Sequence, residues 1–284
     1  MKKEKQTVVL TAILLAGVCV ILYPFISDWW NSMHATRAIA GYVEAVDDLT
    51  GQEKERMLEA AEAYNRSLSN GVNYDLTDEE YAVYEKLLDV SGTGIMGYIQ
   101  ISAIGVNLPV YHSVDEGILQ IAVGHIPGSS LPIGGERTHC VMSGHRGLPS
   151  AKLFSDLDQM REGDVFTLNV LDQTATYQID QIRIVLPEET DDLAIEEGKD
   201  YCTLVTCTPY GVNTHRMLVR GHRIENLAGE IVITAEAVRI PNYITIFAVG
   251  IPLLFITLAG MLLYYRIRGP KKTPKEILDE LEKQ

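Results

Sequence analysis

The chain has 284 residues, 46% hydrophobic and 22% charged, a composition that folds and that excludes collagen, coiled coil and intrinsic disorder. Its net charge of −14 is partitioned: residues 1–6 and 266–284 each carry +2, while residues 7–265 hold 15 basic against 33 acidic side chains. A body that acidic shows no basic face for phosphates, which argues against nucleic acid as the partner.

In chain order, Thr7 to Ile26 runs 20 residues without a charge. That length crosses a hydrocarbon core of about 30 Å at about 1.5 Å per residue. Lys2, Lys3 and Lys5 precede it, and Tyr23, Trp29 and Trp30 form an interfacial belt at its other end. No small-x-small cleavage site precedes Trp29, so the segment reads as an anchor rather than a signal peptide. Ala35 to Val46 and Gln52 to Leu68 repeat apolar residues at helical spacings. Asn70-Gly71-Val72-Asn73 is a loop, and Thr77-Asp78-Glu79-Glu80 is a capping box opening a short helix over Asp78 to Leu88.

From Gly94 onward the texture becomes β-rich. The runs Met96–Ile101, Val106–Tyr111, Thr138–Gly144, Val165–Val170, Thr176–Val185, Tyr201–Cys207 and Arg216–Ile224 alternate with Gly, Pro and Asp turns. Seven or eight such strands predict a mostly β fold, a closed barrel or a sandwich, interrupted by one helix over roughly Ala151 to Gln159. Near the C-terminus, Tyr243 to Tyr265 is a second uncharged run of 23 residues, followed by Arg266, Arg268, Lys271 and Lys272. The positive-inside rule puts both basic tips in the cytoplasm and residues of about 30 to 240 outside.

Four cysteines do not make a disulfide framework at this size. Cys19 lies in the first apolar span, and Cys140, Cys202 and Cys207 lie in the external part, an odd number that leaves a free thiol. In Thr203-Leu204-Val205-Thr206-Cys207-Thr208-Pro209 the proline ends a β-branched strand, so Cys207 sits at the strand's mouth, held and reachable. Cys202, five residues earlier, falls on the opposite face, and Cys140 lies inside an apolar strand; both read as inert packing residues.

A thiol nucleophile needs a base or a cationic neighbour. His145, within Ser143-Gly144-His145-Arg146-Gly147, follows a strand directly, and its glycines expose the ring at a rim. A cation to stabilise an oxyanion comes from the alternating strand His215 to Arg223. There Arg216, Arg220 and His222 share a face, and the residues alone do not choose between Arg216 and Arg220. No Asp has a clear claim to orient His145. There is no CxxC and no His pair at i, i+4, so no metal and no cofactor is expected.

Thr203-Leu204-Val205-Thr206-Cys207 with an Arg nine residues on resembles the TLxTC…R signature of the sortases, the transpeptidases of Gram-positive surfaces. Cys207 to Gly211, Asn213 to Arg216, Val219-Arg220-Gly221, Gly94 to Ile99, Gly144 to Pro149 and Lys152-Leu153-Phe154 are similar to the pilus-assembling class C. The resemblance spans about residues 45 to 225 and both apolar flanks. It implies an eight-stranded sortase-type β-barrel with N-terminal helices between two transmembrane helices. Cys207 is then the nucleophile, His145 the acid/base, Arg216 the substrate and oxyanion clamp, and Thr206 a substrate-binding residue. The implied division is a cytoplasmic tip and membrane helix (1–30), N-terminal helices with a lid (31–93), the catalytic barrel (94–228), a linker (229–242), a membrane helix (243–265) and a cytoplasmic tail (266–284).

One departure stands out. Class C members carry an Asp-Pro-aromatic lid, and Ser67 to Thr77 holds no Asp-Pro; Tyr74 and Asp75 supply the same chemistry in reversed order. The implied partners are pilins or other surface proteins bearing a sorting signal, together with the membrane. Two rivals are a housekeeping-type sortase that attaches proteins to peptidoglycan and a non-catalytic, membrane-tethered peptide-binding domain.

Overall fold

The computed structural model describes residues 2–69 and 71–226, together with 255, 259, 260 and 282. The chain falls into two units, Met1–Ala235 and Glu236–Gln284, and the architecture below belongs to the first.

The apolar N-terminal run and the first amphipathic segment form one continuous helix, α1 (Lys2–Asp47), with Pro24 inside it. Its part from Thr11 is the one helix among the described residues long and apolar enough to cross a membrane. Ile13, Leu14, Val20 and Ile21 stand exposed there. The face changes character beyond Trp30. Ala35, Ile39, Tyr42 and Val46, at spacings of four and three, are buried. Tyr42 fixes this end: its hydroxyl donates to the Met96 carbonyl at 3.1 Å and accepts from the Leu171 amide at 2.7 Å. Burial pushes that phenol above its usual range. The second expected span, Tyr243 to Tyr265, lies almost wholly outside the described residues.

Helix α2 (Gly51–Ser67) opens on a capping box of Thr50 and Glu53, and α3 (Asp78–Tyr84) on the box of Thr77 and Glu80. The helix expected to reach Leu88 ends at Tyr84, because Leu88 takes a left-handed φ of 63° and closes the segment as a turn. Asn65 ties α2 to the barrel by holding the backbone of Leu131 at both its amide and its carbonyl.

The strands are β1 (Ile95–Ile101), β2 (Val106–His112), β3 (Val123–His125), β4 (Thr138–Ser143), β5 (Val165–Val170), β6 (Gln173–Val185), β7 (Asp200–Thr208) and β8 (His215–Ile224). They close a barrel in the order β1-β2-β3-β4-β7-β8-β6-β5. Pairing is antiparallel except β2 with β3 and β4 with β7, which run parallel. Six expected strands match within three residues at either end and Val165–Val170 at both; β3, at three residues, is too short to show a periodicity. A four-residue helix, α4 (Glu116–Leu119), precedes β3.

Inside the barrel, Met96, Ile99, Met142, Phe166, Leu204 and Val219 pack into one core. The helix expected over Ala151 to Gln159 is instead a series of turns ending in a 3₁₀ turn at Leu157–Gln159. Leu153 adopts a φ of 39° there, and the Phe154 amide donates to the His145 carbonyl at 3.1 Å, outside any helical ladder. Burying Ala151, Leu153, Phe154 and Leu157 together overrides the helical pattern.

Candidate active site

Strand β7 sorts its residues by the period of two. Cys202 and Leu204 join the inner core, whereas Val205 belongs to an outer apolar cluster with Val141, Leu193 and Leu218. Cys207 continues the outer face and is half-buried, two residues beyond Val205. Cys140 and Cys202 face one another across the β4–β7 ladder inside the barrel, and burial pushes the Cys202 thiol well above its ordinary range. Their expected role as packing residues fits this placement.

The ladder also delivers the histidine. Its last parallel pair is Ser143 with Val205. Gly144 then donates to the Val205 carbonyl at 3.1 Å, and its own carbonyl accepts from Thr206 Oγ1 at 2.8 Å. One residue further on, His145 leaves the sheet level with Cys207. On the other flank Cys207 is the register partner of Arg216 on β8. Strands are spaced about 4.8 Å apart. His145, Cys207 and Arg216 thus come from three adjacent strand ends, in that order, at one rim of the barrel.

The loop after β4 is pinned from several sides. A Cβ on Gly144 would lie 2.6 Å from the Phe154 ring, so only glycine lets the chain pass. Gly147 donates to Ser155 Oγ at 3.1 Å, and Arg146 pairs with Asp158 while reaching Thr208 Oγ1 at 3.4 Å. Tyr210 closes the far side, its ring directly over Gly147, which takes a φ of 80°.

The two arginines, which the residues alone do not separate and the resemblance resolves toward Arg216, differ in their partners. Arg220 holds Asp180 with two bonds of 3.0 and 3.2 Å and lies 4.2 Å over the Tyr201 ring. It is consumed by structure. Arg216 donates only to the carbonyls of Asn213 and His215, both at 3.2 Å, and has no carboxylate partner among the described residues. Its guanidinium keeps donors for an incoming carbonyl. Nearby, His139 lies between the Ala194 carbonyl and Thr203 Oγ1, and burial pulls it below its ordinary 6.5.

Two other expected residues are placed differently. Thr206 is 1% exposed and points inward, as the alternation from Cys207 demands, so it braces Gly144 rather than facing solvent. Tyr74 is exposed, and the Asp75 amide closes a small turn onto Asn73 Oδ1. Val72 of this segment packs on the outer cluster of Val141, Leu193, Val205 and Leu218. The Asn73 amide anchors the segment to the Gly128 carbonyl at 3.0 Å. The sequence singled out Tyr74 and Asp75 by their chemistry and offered no signal for Val72, whose role depends on a surface built by distant strands. Among the described residues no cluster of three or more His, Cys, Asp or Glu is placed to hold a metal.

Comparison with known proteins places this geometry. Residues 99–224 match the family model described as the sortase domain. Sortase C1 from Streptococcus agalactiae is 50% identical, over 67% of this chain and 99% of that one, with a TM-score of 0.65. The Streptococcus pneumoniae sortase C is 43% identical, over 68% and 98%, with a TM-score of 0.62. Among curated proteins, sortase D of Bacillus subtilis is 28% identical over 45% of this chain, and sortase A of Bacillus anthracis 26% over the same share. Those two alignments span 63% and 59% of the relatives' own length.

Proposed function

Because this chain belongs to the sortase family, we propose that it is a cysteine transpeptidase of the pilus-assembling class, acting on secreted proteins that end in an LPxTG-like sorting signal. The observation that carries the reading is the alignment of His145, Cys207 and Arg216 on three adjacent strand ends beside an apolar patch. The cluster of Val141, Val205 and Leu218 is buried beneath Val72; with Val72 displaced, it suits the Leu and Pro of such a signal. The pneumococcal relative is a sortase described for its pilin substrate specificity.

The chemistry proceeds in two halves. The Cys207 thiolate attacks the Thr carbonyl carbon of the signal, and Arg216 donates to the oxygen as it becomes an oxyanion. The C–N bond breaks, the His145 imidazolium gives its proton to the departing Gly amine, and a thioester remains on Cys207. In the second half an amine, in this reading a pilin Lys, attacks the thioester carbon. The new C–N bond forms, His145 takes the amine proton, and Cys207 leaves as thiolate. Thr206 takes part indirectly, by tying Gly144 to β7. The segment carrying Val72, Tyr74 and Asp75 is a lid held to the barrel domain by Val72 on the outer cluster and by the Asn73 amide on the Gly128 carbonyl.

The membrane arrangement belongs to the same reading. Helix α1 anchors the chain, the barrel lies outside the cell, and a second span over residues 243–265 returns the tail to the cytoplasm. Retention of enzyme and pilin precursor in one membrane raises their effective concentration.

The test is mass spectrometry of the full-length protein incubated with an LPxTG-containing peptide. Wild type gives a covalent adduct on the Cys207 peptide, and Cys207→Ala gives none; an adduct persisting in the variant overturns the assignment. Offering a pilin Lys peptide beside a cell-wall bridge peptide then identifies the acceptor, and transfer to the bridge peptide alone favours a wall-anchoring sortase instead.

A further inference from the structure

The His145 ring has one nitrogen that this reaction leaves unexplained. Nε2 is enclosed and has no hydrogen-bond partner among the described residues. Glu116 Oε2 stands 3.6 Å from it, beyond hydrogen-bonding distance but close enough for strong charge attraction. Chain topology makes the approach possible: α4, which carries Glu116, leads into β3, and β3 pairs with β4 at Gly124 and Ser143, two residues before His145.

An exposed carboxylate beside a histidine is commonly incidental, and the Glu116 side chain is 75% exposed. Two features set this one apart. Gln120, one turn along α4, donates its amide to Glu116 Oε1 at 2.6 Å, which fixes the carboxylate and leaves Oε2 for the ring. The nitrogen it faces is the enclosed, unpartnered one. We infer that Glu116, held by Gln120, is the positioning residue of His145, accepting from Nε2 when the ring becomes imidazolium and leaving Nδ1 for the Cys207 thiol and the departing amine. The inference rests on the transpeptidase reading above.

The electrostatic setting is compatible. Arg146, next in the loop, is paired with Asp158; Arg216 on β8 is turned to carbonyls; Cys207 stands free and half-buried at the end of β7. Glu116 is the acidic group paired with the ring. A carboxylate held there fixes the orientation of the ring toward Cys207.

The test uses the full-length protein in detergent micelles and the rate of Cys207 alkylation by iodoacetamide. Mass spectrometry of the Cys207 peptide excludes signal from Cys19, Cys140 and Cys202. At about pH 7, Glu116→Gln is expected to slow alkylation about 3–10-fold. At about pH 10, where the thiolate forms without the imidazolium, variant and wild type converge. Gln120→Ala slows it in the same direction by less, and supplies a second variant. If wild-type Cys207 shows neither fast alkylation at neutral pH nor an adduct with the LPxTG peptide, the transpeptidase reading fails. If wild type shows both and the two variants match it at both pH values with unchanged unfolding temperatures, that reading stands and Glu116 has no role.

Discussion

Replacing Gly144 by Ala tests how tightly the barrel holds its histidine. An added Cβ would lie 2.6 Å from Phe154 Cδ2, 2.9 Å from Cγ and 3.0 Å from Cε2, where ordinary contact begins at 3.4 Å. Relief requires a displacement of about 0.8 Å, either of the Phe154 ring or of the strand end. The ring is fully buried in the core, and its amide is already bonded to His145. The strand end therefore yields, carrying His145 with it. Overpacking of this kind costs about 1–3 kcal/mol, which for a domain of this size lowers the unfolding temperature by about 2–12 °C. A misplacement approaching 1 Å at a reacting group costs about 100-fold in rate. Differential scanning calorimetry and LPxTG-peptide turnover read the two effects separately. Adding Phe154→Leu, which removes the facing ring atoms, should restore part of the activity although it opens a cavity and lowers stability further. A Gly144→Ala protein with wild-type turnover would refute the claim that Phe154 and Gly144 set the position of His145.

Three further outcomes follow from charge and burial. Arg216→Ala should lower turnover about 100-fold or more through loss of an oxyanion donor, with the unfolding temperature unchanged, because its partners are carbonyls near the surface. Arg220→Ala should instead leave turnover near wild type and lower stability: it leaves the half-buried Asp180 with His222 as its remaining basic neighbour and costs about 1–3 kcal/mol, read by calorimetry. For pH, burial holds His139 and His112 below their ordinary 6.5. The unfolded chain then binds more protons than the native one between the lowered values and 6.5, so stability rises with pH through that window. It is complete above 6.5 and lost as pH falls. The drop in unfolding temperature between about pH 7.5 and 5.5 should shrink in His139→Gln; an equal drop would show that His139 is not its source.

Much of this protein is legible along the chain because the relevant physics is local. The period of two in Thr203 to Cys207 put Cys207 and Cys202 on opposite faces, and β7 bears that out. The capping boxes at Thr50 and Thr77 form as their spacing requires. Gly144 and Gly147 marked the turn that carries His145, although its ring is half-buried there rather than exposed. The failures have equally local causes. β3 is too short for any periodicity, and the run from Ala151 to Gln159 was read as a helix when its apolar residues serve a non-helical turn beneath His145.

The sequence by itself determined the alternating strands, the apolar N-terminal helix, and Cys207 and His145 as residues at strand ends, since each follows from neighbours a few positions away. Tertiary structure showed which of the two arginines has no carboxylate partner among the described residues, because the partner that occupies Arg220 is Asp180, 40 residues distant. It alone drew Val72 onto the patch beside Cys207 and brought Glu116 to His145. Those relations are set by the antiparallel pairing of β6 with β8 and of β3 with β4, and by the outer cluster on which Val72 packs. Closing a barrel brings together strand ends that no local pattern connects.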